Sequence, residues 1–258
     1  MNPDRLVIAL ANRKGGTGKT TTAVNLSAEW GNQGYRTLLI DLDTQGHAAI
    51  GVGCRETRQL SGAVHQLYQN PELSLMEIVQ PTVLENVWLA PADTDFQQQE
   101  LNVHRLRSAI EKIDPDEQFQ RIVIDTPPTL DGLLISGLVA AQGVVVPFVP
   151  HHLAEVGTRQ LAKLFYQVSS RHNPDLKLLG LLPIMYDRHI KLHQRVVSGI
   201  EKQFGKDRML RGIRNNIKVA EAFEKGLPIC TYAPRSAGNM DYHLMALELE
   251  SFLVLDRG

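Results

Sequence analysis

The 258 residues predict an α/β fold, a doubly wound and mainly parallel sheet with helices on both faces. Three observations carry that expectation. Short apolar runs recur at 6–10, 37–40, 87–90, 122–124, 144–149 and 178–182, with helix-like spacing between them. Strands covered on both faces read as such continuous runs rather than as alternating ones. A glycine-rich loop, residues 11–21, separates the first run from the helical spacing of 23–30. Finally, the runs at 37–40 and 122–124 are each followed directly by an acid, Asp41 and Asp125. Ligands in open α/β sheets collect at the carboxyl ends of the strands. The length suits a single domain over 1–258 with a full core.

Composition narrows the classes. Apolar residues make up 43% and charged residues 21%, as in an ordinary soluble domain. A net charge of −1 excludes a molecule that is basic all over, though not one with a basic face. Cys54 and Cys230 form neither a metal spacing nor a disulfide framework, which predicts a reducing, cytoplasmic setting. Residues 1–5 lack the features of a signal peptide, and no apolar run is long enough to span a bilayer.

The loop after the first run reads Lys14-Gly15-Gly16-Thr17-Gly18-Lys19-Thr20-Thr21. Strand, glycine-rich loop and helix is the context that a phosphate-binding loop requires. Glycines let backbone N–H groups crowd an anion, and the helix start adds unpaired N–H groups and partial positive charge. Lys19 is placed to reach the β- and γ-phosphates, and the Thr20 hydroxyl to ligate Mg²⁺. The usual first glycine of the motif is Arg13 here, followed by Lys14.

The second run leads into Asp41-Leu42-Asp43-Thr44-Gln45-Gly46. Strand alternation would put Asp41 and Asp43 on one face, beside the phosphates, to hold Mg²⁺ through water or orient an attacking water. Residues 51–80 offer no chemistry; Val64, Leu67 and Tyr68 predict a short helix closed by Pro71. A longer helix is expected over 96–113, with Leu106, Ala109, Ile110 and Ile113 inward and Arg105, Arg107, Glu111 and Lys112 solvated. The run at 122–124 ends in Asp125, and Pro127 and Pro128 stiffen its exit. His151 and His152 are adjacent but no acid or cysteine completes a metal set, so both read as surface residues.

Residues 187–225 carry ten basic and five acidic residues, a net +5 that leaves −6 for the remainder. On a helix over 189–204, Lys191, Arg195 and Lys202 fall near one side, with Ile190, Val196, Val197, Ile200 and Phe204 able to face the core. No aromatics interleave the cations, so the contact to expect is with phosphates, without sequence preference and weakened by salt. The segment 241–253 predicts an amphipathic helix with Leu244, Leu247 and Phe252 inward and Asp241, Glu248 and Glu250 charged. An anionic membrane would repel it.

The sequence Lys14-Gly15-Gly16-x-Gly18-Lys19-Thr20 resembles the deviant Walker A motif of the ParA/MinD family of P-loop ATPases. The resemblance runs from Leu6 to about Leu253. It implies ATP and Mg²⁺ as cofactors, and Lys14 reaching across a dimer to the partner's phosphates. Asp43 becomes the residue needed for hydrolysis, in a segment where Thr44 replaces the usual proline. Asp125 becomes an outer Mg²⁺ residue, bound through water or hydrogen-bonded to Thr20. Met185, Arg214 and Asn216 fall in the adenine region, with Asn216 contacting the base and Arg214 replacing a pocket-lining proline. Arg188, Lys191, Arg195, Arg211 and Lys218 correspond to the DNA-contacting surface. The cysteines do not match those of the iron-protein relatives, and the acidic last helix does not match the membrane helix of MinD-like ones. With the first strand starting at residue 6, the short chromosomal type is expected. The implied function is an ATP-dependent dimer that binds DNA non-specifically in the cytoplasm, on the nucleoid, and releases it on hydrolysis. An adaptor on the cargo would activate it. The cargo would be a centromere complex or a protein body such as a carboxysome. The alternatives are a biosynthetic or metal-insertion enzyme on the same scaffold, or a membrane-positioning ATPase.

Overall fold

The computed structural model describes residues 5–54, 62–97, 100–114, 119–152 and 154–255. Its strands are β1 (Leu6–Leu10), β2 (Thr37–Asp41), β3 (Gln80–Pro81), β4 (Val87–Ala90), β5 (Arg121–Asp125), β6 (Gly143–Phe148), β7 (Lys177–Tyr186) and β8 (Ile213–Arg214). They form one sheet in the order β3-β4-β2-β5-β1-β6-β7-β8. Only β3 runs antiparallel to its neighbour. The six apolar runs thus form strands, while the two-residue edge strands β3 and β8 carry no run long enough to announce them.

Alternation along each buried strand feeds two cores. Val7, Ala9, Leu38, Ile40, Ile122 and Ile124 face one side; Leu6, Ile8, Leu10, Leu39 and Val123 face the other. The first core is closed by α4 (Arg105–Glu111), α5 (Gly132–Ala140), α6 (Ala154–Arg171) and α7 (Lys191–Phe204). The second is closed by α1 (Lys19–Asn32), α2 (His47–Gly51), α8 (Ile217–Glu224), α9 (Ile229–Tyr232) and α10 (Ala237–Leu255), while the single turn α3 (Gln66–Gln69) belongs to the first face. Burying this apolar surface, at about 25 cal/mol per Å², is the main force assembling the layers.

Three helical expectations need correction. Among the described residues of 96–113 the helix is α4 alone, residues 98 and 99 lying outside them; Asn102 turns the chain just before α4, its carbonyl taking the Arg105 N–H and its Oδ1 the His104 N–H. Arg105 is not solvated: it is buried and donates to the carbonyls of Leu67, Asn70 and Leu73. Helix α7 starts at Lys191, leaving Ile190 outside and 43% exposed. In α10 the inward stripe is Tyr242, Met245, Ala246 and Leu249, and Leu247 faces out.

The centre of the sheet sets the site. Asp41 pairs with Asp125 across β2 and β5, and Asp125 pairs with Leu10 across β5 and β1. Both strand-end acids and the start of the glycine loop therefore sit level, at one edge.

Candidate active site

Loop 11–18 is anchored on both flanks. Ala11 N–H donates to Val145, the Asn12 amide donates to the Pro147 carbonyl at 2.7 Å, and Asn12 Oδ1 accepts the Lys14 N–H at 3.0 Å. Gly16 and Gly18 have φ of 71° and 76°, a region that favours glycine. Gly18 starts α1, and its Cα packs so close to Ile184 of β7 that a Cβ would meet the isoleucine at 3.2 Å. Around Gly15 and Gly16 there is room for an anion to approach the backbone.

Lys19 is buried at the first position of α1. Burial lowers its pKa, and the nearby carboxylates Asp125 and Asp43 pull it back up. Asp125 is fully buried, and neither carboxylate oxygen has a hydrogen-bond partner. Burial raises its pKa to about 7, against the pull of the Thr20 hydroxyl and Lys19, which lie beside it without closing a well-aligned bond. A buried acid with two orphaned oxygens is costly unless something completes it. A hard cation held through water, next to the Thr20 hydroxyl, fits that donor set.

Strand alternation does not carry from Asp41 to Asp43, because β2 ends at Asp41. Asp41 is fully buried and turns back on the chain: its Oδ1 accepts the Asp43 N–H at 3.0 Å and its Oδ2 the Ala48 N–H at 3.1 Å. Burial and the Asp125 charge hold its pKa well above the ordinary carboxylate range. Asp41 is thus a loop-shaping residue, and Asp43 is the acid left half-exposed at the cleft. Asp43 Oδ1 accepts the Gln45 N–H at 3.2 Å, forming a turn. The loop is tied across the sheet by the Leu42 N–H donating to Asp125 and the Thr126 hydroxyl donating to Leu10.

Lys14 is exposed at the rim, and its ammonium meets Nε2 of His151. His151, read as plain surface, is therefore a neighbour of the loop; burial and the Lys14 charge lower its pKa. No local pattern announces that contact, since the two residues are 137 positions apart.

The remaining predicted residues sit around β7 and β8. Ile184, packed on Gly18, pairs with Ile213, which places Met185 and Arg214 at the same edge as the phosphate loop. Met185 has φ of 54° and is exposed. Arg214 is held by Asp241 of α10 through bonds of 2.7–3.1 Å, with Asp241 also accepting the Arg214 N–H. Asn216 caps α8, its side chain accepting the Lys218 N–H. A polar cleft of about 630 Å³ runs alongside, lined in part by Arg188, Arg211, Arg214 and Asp241. Lys191 and Arg195 are exposed on α7, and Lys218 is ion-paired with Glu221 at 2.7 Å. The other acids of α10 are also engaged: Glu248 accepts the Arg211 N–H and Glu250 forms a bidentate pair with Arg121.

Strand, phosphate loop, helix and level strand-end acids define a P-loop nucleotide-binding protein. A family model described as an AAA domain matches residues 5–178. The chromosome-partitioning ATPase Soj of Thermus thermophilus is 38% identical, over 94% of each chain. The chromosome partitioning protein ParA of Caulobacter vibrioides is 34% identical, over 97% of this chain and 95% of its own. Among solved structures, a cobyrinic acid a,c-diamide synthase from Mycobacterium smegmatis with bound ADP and magnesium aligns with a TM-score of 0.79 and 28% identity, covering 98% of this chain and 96% of its own. The cell division ATPase MinD of Pyrococcus furiosus shares the fold at a TM-score of 0.80 and 21% identity, over 96% of this chain and 99% of its own. The chain belongs to the ParA/MinD family of P-loop ATPases. Among the described residues no helix is long and apolar enough to cross a membrane, and no group of histidines, cysteines and acids forms a metal cluster.

Proposed function

We propose that the protein is a partition or positioning ATPase that pairs on ATP, binds DNA as a dimer and releases it on hydrolysis. The observation that carries this reading is the division of labour between two lysines on one loop. Lys19 is buried against Asp125 and Asp43, where it serves the protomer's own phosphates. Lys14 stands exposed at the rim beside His151, where the phosphates of a second molecule could meet it. Gly15, Gly16, Thr17, Gly18 and Thr21 supply the rest of the phosphate cradle, and Met185, Arg214 and Asn216 border the base.

Thr20, Asp43 and Asp125 would hold Mg²⁺, which when bound offsets negative charge on the β- and γ-phosphates. Asp43 orients the attacking water, and the lysines neutralise charge on the transferred phosphoryl group. Pairing joins two weak basic surfaces, from Arg188, Lys191, Arg195, Arg211 and Lys218, into one footprint. Avidity then rises without a new type of contact. Hydrolysis undoes the pairing and releases the DNA, and an adaptor on the cargo sets its rate. The location that follows is the nucleoid in the cytoplasm.

The decisive experiment follows mass by light scattering with and without ATP. The expected result is an ATP-dependent dimer that Lys14→Ala abolishes while nucleotide binding persists. A monomer at every concentration with ATP bound overturns the proposal. The likeness to a diamide synthase favours a second reading, a biosynthetic enzyme on the same scaffold. ATP turnover stimulated by linear DNA alone would decide against it.

A further inference from the structure

His65 lies in the stretch 51–80, outside every motif read from the sequence. It is fully buried, with its ring 4.6 Å from that of Phe96. The Asp93 N–H donates to Nδ1 at 3.0 Å, so Nδ1 bears no proton. The proton of the neutral ring is therefore on Nε2, which donates to the Leu42 carbonyl at 3.3 Å. Burial disfavours the charged form, against the pull of the Leu42 carbonyl and the nearby Asp93, Asp131 and Asp43 charges.

The Leu42 carbonyl and the Asp43 N–H are the two polar groups of a single peptide unit. His65 holds the first, and Asp41 accepts from the second at 3.0 Å. A peptide unit is planar, so gripping it at both edges fixes its plane and the N–Cα bond from which the Asp43 side chain departs. The ring also joins two loops. It binds Asp93 after β4, and the next residue, Thr94, presses its methyl toward Gly46, where a Cβ would meet it at 3.0 Å.

We propose that His65 is a positioning residue for ATP hydrolysis, clamping the Leu42–Asp43 peptide so that the Asp43 carboxylate faces the transferred phosphoryl group. The inference rests on the reading of Asp43 as the hydrolytic acid. His65 touches no reacting atom; it acts through the peptide. Small misplacements of a positioned group cost up to about 10²-fold in rate.

The test uses the full chain. His65→Phe keeps a ring in the cavity and removes both hydrogen bonds, and His65→Gln restores one donor and one acceptor. The expected result is a kcat at least tenfold lower for His65→Phe, with KM for ATP within twofold of the parent, and substantial recovery in His65→Gln. In the parent, ¹⁵N spectra should show the Nε2–H tautomer near neutral pH. Parental turnover in His65→Phe, or a proportionate loss of kcat and ATP affinity that His65→Gln does not rescue, overturns the inference. So does a protonated Nδ1, which can be read even where the Phe variant does not fold. Asp43→Ala measured alongside separates the two failures. If it turns over ATP at the parental rate, the reading of Asp43 falls; if it is inactive while His65→Phe is not, only the clamp falls.

Discussion

At the phosphate end of the cleft, Lys19, Asp41 and Asp125 are buried on the termini of α1, β2 and β5, and backbone geometry alone puts them together. Around β8 and α8 the charged groups lie at the surface, and acids of the same chain hold two of the cations. Arg214 has Asp241 and Lys218 has Glu221, while Glu248 accepts the backbone N–H of Arg211 and leaves its guanidinium out of that bond. The first region leaves buried polar atoms without hydrogen-bond partners, as the Asp125 carboxylate does. The second holds Arg214 and Lys218 in ion pairs whose cations are about half-exposed. A buried, preorganised group gains from low dielectric, whereas an exposed pair is weak and screened by salt. The contrast predicts large, all-or-none effects at one end and graded, salt-dependent effects at the other.

The largest effect belongs to Lys19. Lys19→Ala should lower nucleotide affinity by about 30-fold or more, since truncating one partner of a buried charged contact costs roughly 2–5 kcal/mol and each 1.4 kcal/mol is tenfold. Titration calorimetry with an ATP analogue checks this. Affinity within threefold of the parent would place the lysine outside the site and erase the contrast.

At the surface end, Arg195→Glu with Lys218→Glu should weaken binding to linear DNA by about tenfold or more and flatten the dependence of log affinity on log salt by about two. ATP-driven dimerisation should survive. A gel shift across a salt series reads both quantities, and an unchanged slope would remove these two residues from the footprint.

The same contrast explains what could be read from the sequence. Six strands, the loop, Lys19 and the strand-end acids follow from local pattern, because a strand end places its own last residue. Arg105, His65 and His151 could not be read that way, since their partners are 23 to 137 residues distant and no periodicity links them. Helix α10 shows how pattern misleads. Leu247 is as apolar as Leu249, and only packing against the sheet decides that 249 is buried and 247 exposed. Its acids read as the charged positions of a helix that a membrane would repel, and in the fold Asp241, Glu248 and Glu250 all bind groups of the body.

Arg214 sits between the two regimes. Its own side chain is 55% exposed, but Asp241 beneath it is 6% exposed. Arg214→Ala leaves that carboxylate buried with only a backbone N–H, a loss of about 1–3 kcal/mol. Urea unfolding should show it, and adding Asp241→Asn should recover part. Full additivity of the two substitutions would mean that the pair is not coupled.

The smallest effect tests whether buried charge is costly throughout the α1 layer or only beside the phosphates. Glu29 of α1 is buried, with His243 of α10 at 3.1 Å. Burial raises its pKa above the ordinary 4.5, and His243 only partly offsets the rise. The folded state therefore holds the Glu29 proton more tightly than the unfolded chain does. The stability that this provides is complete below the unfolded value and is lost as pH rises through the folded one. Glu29→Gln removes the ionisation while leaving an amide that can still bond His243. Its Tm should gain on the parent as pH climbs from about 4.5 towards neutrality, by a few degrees at most in a domain of this size. A gap that narrows instead would mean that the charged pair with His243 stabilises the fold, and that burial is costly only where no partner is within reach.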